Sequence, residues 1–140
     1  MDETKADDIA QAWMKRIGAR PDERTADIST ALSELPDPRA WATADDGRLA
    51  VLAGDRLYVL TGKVEHGADH LRSIDVQVLG DLSNLGLSSA RTFLRDEKPG
   101  YDTHAWTLRG DVLDKPLTFQ FGRTDEDEVA ALWTALAGLG

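Results

Sequence analysis

The stretch Gly47–Gly62, GRLAVLAGDRLYVLTG, constrains the fold more than any other part of the chain. Two apolar runs, Leu49–Ala53 and Leu57–Leu60, flank Gly54-Asp55-Arg56. Short β-rich runs joined by a tight polar turn carrying glycine predict a β-hairpin. Leu49 and Val51 fall on one face of the first strand, with Ala50 and Leu52 on the other. Leu57 and Val59 likewise oppose Tyr58 and Leu60. Side chains alternate across a strand, so both faces of this hairpin are apolar and both need a cover.

One cover is expected from the strands downstream. Ile74, Val76 and Val78 alternate with Asp75 and Gln77, the signature of a half-buried strand. Leu79, Leu82, Leu85 and Leu87 continue the apolar set across Gly80 and Gly86, which predicts a bent or broken strand. Ser89–Leu94, His104–Leu108 and Leu117–Phe121 complete the strand pattern, with Pro99-Gly100 and Gly110–Lys115 as turns. Residues 62–72 read as a polar loop. The last element is a helix: Thr124 as N-cap, acids at Asp125–Glu128 where the helix dipole favours negative charge, then Val129, Leu132, Trp133, Leu136 and Leu139 on one stripe.

The other cover is expected from the N-terminus. Ile9, Trp13 and Ile17 recur every four residues over a predicted helix at 4–17, which Gly18 closes. Pro21-Asp22 opens a second helical segment with Ile28, Leu32 and Leu35 on its face, and Pro36 and Pro38 stop it. Two short helices cannot bury their stripes alone, so they dock on the hairpin or on a partner. The period changes from helical to alternating at Pro36-Asp37-Pro38, with Trp41 in the first strand after it. The boundary expected there separates an N-terminal helical hairpin (1–36) from a strand domain (37–140).

Composition limits the function classes. At 140 residues the chain has room for one main core. The formal net charge is −9, and residues 124–140 hold four acids and no base. Residues 36–123 are nearly balanced, with eleven basic and thirteen acidic side chains. No segment is basic enough to form an electrostatic footprint for nucleic acid or for stable binding to an anionic membrane. No apolar run reaches the length of a membrane span. The acidic start MDETKADDIA is not a secretory signal, and the absence of cysteine fits a reducing compartment, so a cytoplasmic location is expected.

About seven antiparallel strands followed by one amphipathic helix resembles the pleckstrin-homology-like (PH-like) superfold, in particular its small bacterial members. GRLAVLAGDRLYVLTG resembles the family's second and third strands. VQVLGDLSNLGLS resembles the strand that bends into the next, and LTFQFGRTDEDEVAALWTALAGL the last strand with its closing helix. The resemblance spans roughly residues 39–139. It implies an α+β fold: an antiparallel barrel or sandwich of about seven strands capped by a C-terminal helix, here preceded by the helical hairpin. It also implies binding rather than catalysis. Lipid-binding members carry clustered Lys and Arg in the loop between the first two strands, where this chain has Asp45-Asp46-Gly47-Arg48. A single arginine beside two acids argues against phosphoinositide binding.

Catalytic constellations are sparse. His66, Asp69 and His70 form H-x-x-D-H, with Glu65 as a further ligand candidate, but Gly67 works against the helix that would align them. His104 alternates with Trp106 and reads as a packed strand histidine. No phosphate-binding glycine loop and no nucleophile elbow occurs. The expectation is therefore a non-enzymatic adaptor without metal or cofactor, whose partner is another protein or a second copy of itself. Candidate contact residues are Ile9, Trp13, Ile17, Trp41 and Tyr58. Two alternatives remain: a small-molecule or lipid-binding protein, and a small enzyme using His66 and His70, or His104, with nearby carboxylates.

Overall fold

The computed structural model describes residues 1–19, 25–64, 71–80, 82–93, 102–122 and 126–138. Among these residues it is an α+β fold of three helices and two antiparallel sheets. Helix α1 (Glu3–Ile17) begins at Asp2, whose carboxylate accepts from the Lys5 amide at 2.8 Å. The helix thus starts one residue before the predicted 4–17 and ends where Gly18 was expected to close it. The helix ends at Gly18, whose φ of 73° is left-handed, a conformation that costs glycine no Cβ clash. Helix α2 spans Thr25–Ser33. The expected start at Pro21-Asp22 lies outside the described residues.

The first sheet has the order β1 (Pro38–Thr43), β2 (Leu49–Ala53), β3 (Arg56–Val64) and β4 (Leu71–Leu79). The second has the order β5 (Leu82–Phe93), β6 (Asp102–Val112) and β7 (Lys115–Phe121). Helix α3 (Glu126–Ala137) follows, and the proposed cap at Thr124 lies outside the described residues. Among the described residues the sheets do not join edge to edge, so the arrangement is a sandwich and not a closed barrel. The chain leaves the first sheet at Gly80. β5 then carries a bulge between Ser83 and Gly86, with Asn84 at φ 52°, which turns the strand away from β4.

Two apolar cores result, one on each face of the β2–β3 hairpin. Between the sheets, Ala50, Leu52, Leu57 and Val59 meet Leu108, Phe119 and Phe121, and α3 adds Val129, Leu132 and Leu136. On the other face, Leu49, Val51, Ala53 and Leu60 meet Ile9, Ala10, Trp13 and Met14 of α1 and Ile28 and Leu32 of α2. The helical segment and the strands thus share a core across the expected boundary at Pro36.

Three expectations change. The hairpin loop is two residues, not three: Ala53 pairs with Arg56, and Gly54 supplies the positive φ (64°) that a tight hairpin turn requires. An even-numbered loop pairs Leu52 with Leu57 and Val51 with Tyr58, so Tyr58 and Leu60 share a face with Leu49 and Val51. Second, β3 runs on to Val64, which shortens the polar loop expected at 62–72. Third, β5 is one long strand where two were expected.

Candidate functional site

The loop between β1 and β2 is the natural first place for a site, and the structure ties it down on two sides. Gly47 has φ 90° and closes the turn by donating to the Ala44 carbonyl at 2.9 Å. On the β7 side, the Asp45 amide donates to the Gln120 carbonyl at 2.7 Å. The Gly122 amide donates to Asp45 Oδ1 at 2.9 Å. Arg48 Nη2 donates to the Thr118 carbonyl at 2.6 Å while its Nε donates to Asp46 at 2.7 Å. The guanidinium also sits 4.3 Å from the centre of the Phe119 ring. On the α1 side, Trp13 Nε1 donates to the Gly47 carbonyl at 2.8 Å, and Arg16 lies 3.7 Å from Asp45. The one basic residue of the loop is therefore engaged by Asp46, by a backbone carbonyl and by an aromatic face. A cleft of about 510 Å³ beside the loop has Arg16, Asp45, Asp46 and Thr61 in its wall, and both of its carboxylates already hold partners.

A second groove, also about 510 Å³, runs between α1, β1 and α3. Ile9, Pro38, Ala40 and Trp41 line it, and Lys5, Asp8, Arg39, Asp127 and Glu128 surround it.

The candidate contact residues are not brought to one place. Trp13 is fully buried and Ile9 is 2% exposed, both inside the core between helices and sheet. Ile9 and Trp41 meet at the groove, and Ile17 borders the cleft. Tyr58 is half-buried on β3, opposite Val78. His66, Asp69 and His70 lie outside the described residues. His104 lies in β6 opposite Arg91. Among the described residues, no group of three His, Asp or Glu side chains is placed to hold a metal, and no helix is long and apolar enough to cross a membrane.

What sequence reasoning missed is on β4. Val76 and Val78 are 46% and 50% exposed, although their alternation had marked them for the core. They lie on the helix-covered face, beside Leu60 and Tyr58, but the cover reaches only Ile74. The cause is position: β4 is the outer strand of its sheet. Periodicity reports which residues share a face, and it does not report how far the covering layer extends.

The four sheet edges are not alike. β1 begins with Pro38, and α3 packs along it. β7 has its Thr118 and Gln120 carbonyls taken by the β1–β2 loop. β5 is interrupted by its bulge. Among the described residues β4 pairs only with β3, over eight register pairs with a single irregularity at Lys63/Val64, opposite its first residues. Natural sheets blunt their edges with proline, bulges or a covering element, because unpaired backbone groups template further pairing. By that measure β4 and the Gly86–Phe93 part of β5 both stay open among the described residues, and of the two it is β4 whose described side chains include exposed large apolar ones, Val76 and Val78. Compared with known proteins, the chain matches no family model, no curated protein and no solved structure.

Proposed function

We propose that this chain is a non-enzymatic protein-interaction module of PH-like architecture, working in the cytoplasm, whose recognition element is β4. The strand order supports the architectural part: a four-stranded antiparallel sheet, then a three-stranded one, then a helix packed into the core between them. The observation that carries the functional part is the pair of exposed valines on an unblunted outer strand. Addition of a strand to such an edge gives affinity through main-chain hydrogen bonds and selectivity through alternate side chains. Two other candidate surfaces are engaged within the fold. The Ile9–Trp13 stripe packs on β2 and β3, and the loop that would cradle a phosphoinositide headgroup has Asp45, Asp46 and Arg48 tied to neighbours.

The test is affinity purification with two baits, the wild type and Val76→Lys/Val78→Lys. Both valines are half-exposed, so the double variant keeps the fold. The reading expects a stoichiometric protein partner that the wild-type bait retains and the variant loses. Identical recovery by both baits, together with no self-association that the two valine changes weaken, overturns it. So does a saturable catalytic activity abolished by His104→Ala or His70→Ala.

A second reading is favoured by the groove at Trp41: an apolar small molecule or lipid held between α1, β1 and α3. It expects a co-purifying compound that Trp41→Ala releases and that Val76→Lys/Val78→Lys leaves in place.

A further inference from the structure

We propose that the partner of β4 is β4 of a second copy, paired antiparallel about a two-fold axis at Val76 to make one continuous eight-stranded sheet. This rests on the reading of β4 as the recognition element and adds the identity of its occupant.

Self-complementarity selects the partner. In an antiparallel pair, residues directly opposite share a face, so a two-fold axis perpendicular to the sheet sets even positions against even and odd against odd. With the axis at Val76, Val76 meets Val76 of the other copy, and Val78 meets Ile74 in both directions. The whole apolar face of β4 is then matched along its length. On the opposite face Gln77 meets Asp75, a carboxylate facing an amide that can donate to it. Leu79 meets Ser73. No like charges are opposed.

Neighbouring registers do worse. An axis at Asp75 sets two carboxylates directly opposite each other, which is destabilising. An axis at Gln77 leaves Ile74 against Gly80 and Asp75 against Leu79. The favoured register uses residues 73–79 only, about 24 Å of strand at ~3.4 Å per residue. Space for it exists, because the helices leave Val76 and Val78 uncovered on the face where both copies would carry their helices.

Charge sets the strength. Each copy carries a formal net charge of −9, so two copies repel at low salt. The Debye length falls from about 10 Å at 0.1 M salt to about 3 Å at 1 M, so added salt screens this repulsion. Dimerisation through this strip, which holds one carboxylate per copy and no cation to pair with it, therefore strengthens as salt rises, the reverse of an ion-paired interface. A seven-residue strip buries less than the ~1,200 Å² at the lower end of stable interfaces, so the pairing is weak and shows only at high protein concentration.

The test is sedimentation velocity on the full chain from about 10 µM to 1 mM, at low and high salt, with three variants. Circular dichroism checks that each is folded. Wild type is expected to move from monomer toward dimer with concentration, and at least several-fold more readily at high salt. Val76→Lys puts two ammonium groups at the axis while lowering the net negative charge, and is expected to weaken association at least tenfold. Gln77→Lys sets a lysine against Asp75 twice and is expected to tighten it several-fold. Gln11→Lys makes the same change on the exposed face of α1 and is expected to alter it little. A wild type that stays monomeric at 1 mM and high salt overturns self-pairing, while the two-bait purification still decides whether β4 binds another protein. Association unaffected by Val76→Lys overturns the surface. Equal responses to Gln77→Lys and Gln11→Lys overturn the register, and the self-pairing built on it.

Discussion

Trp13 offers the sharpest check on how the two halves of this chain are joined. Its ring is fully buried between α1 and the sheet, and its Nε1 holds the Gly47 carbonyl at 2.8 Å. Trp13→Ala removes the ring and leaves a cavity, which costs about 3–5 kcal/mol for a buried tryptophan. Trp13→Phe separates the two contributions. It keeps most of the packing and loses the hydrogen bond, leaving a partly buried carbonyl without its donor, which costs about 1–2 kcal/mol. The smaller ring adds about 1 kcal/mol of lost burial. Trp13→Phe should therefore cost about 2–3 kcal/mol in urea unfolding followed by circular dichroism, with an unchanged slope against denaturant. Amide exchange at Asp45 should also quicken, since the β1–β2 loop loses its tie to α1. A cost for Trp13→Phe below about 0.5 kcal/mol would refute the reasoning, because only a ring facing solvent or a partner loses so little.

Other consequences follow from the same contacts. Asp45→Ala removes the acceptor for the Gly122 amide and one side of a half-exposed ion pair, and should cost about 1–2 kcal/mol in the same assay; Asp45→Asn keeps the acceptor and should recover most of it. Gly47→Ala forces a side chain onto a φ of 90°, with its Cβ 3.2 Å from Ile17, and should lower stability by about 1–2 kcal/mol; no loss would mean the turn adopts another conformation. Leu132→Ala, at the buried centre of α3, should cost about 2–5 kcal/mol, and an unchanged midpoint would place α3 off the core. Val76→Lys alone should change monomer stability by less than about 0.5 kcal/mol, since the site is half-exposed.

Elements with consistent local signals were legible in the sequence. The hairpin at Gly47–Gly62, the α1 stripe and the C-terminal helix each combined periodicity with a stop or a cap, and each is present. The need for two covers on the hairpin followed from its alternation alone, and the structure supplies both. The parity of the hairpin did not follow, because Arg56 reads equally well as loop or strand and one residue reverses every face. The tie between Asp45 and the end of β7 joins residues 77 apart in sequence, beyond the reach of local pattern. Nor could alternation tell an outer strand from a central one: Leu60 and Val76 share a face and a register position, yet one is buried and the other is 46% exposed.

The outer strand is therefore where the account is most directly put to the test. The chain contains no cysteine, so a single introduced thiol reports one contact. Cβ atoms directly opposite in an antiparallel pair lie about 4.5–5.5 Å apart, close to the spacing a disulfide bridges. Val76→Cys should form a disulfide-linked dimer under mild oxidation far faster than Leu113→Cys, whose site is 75% exposed at the β6–β7 turn and collides only by diffusion. Equal rates for the two variants would contradict the central claim, since they would show that β4 meets its own kind no more often than any exposed turn does.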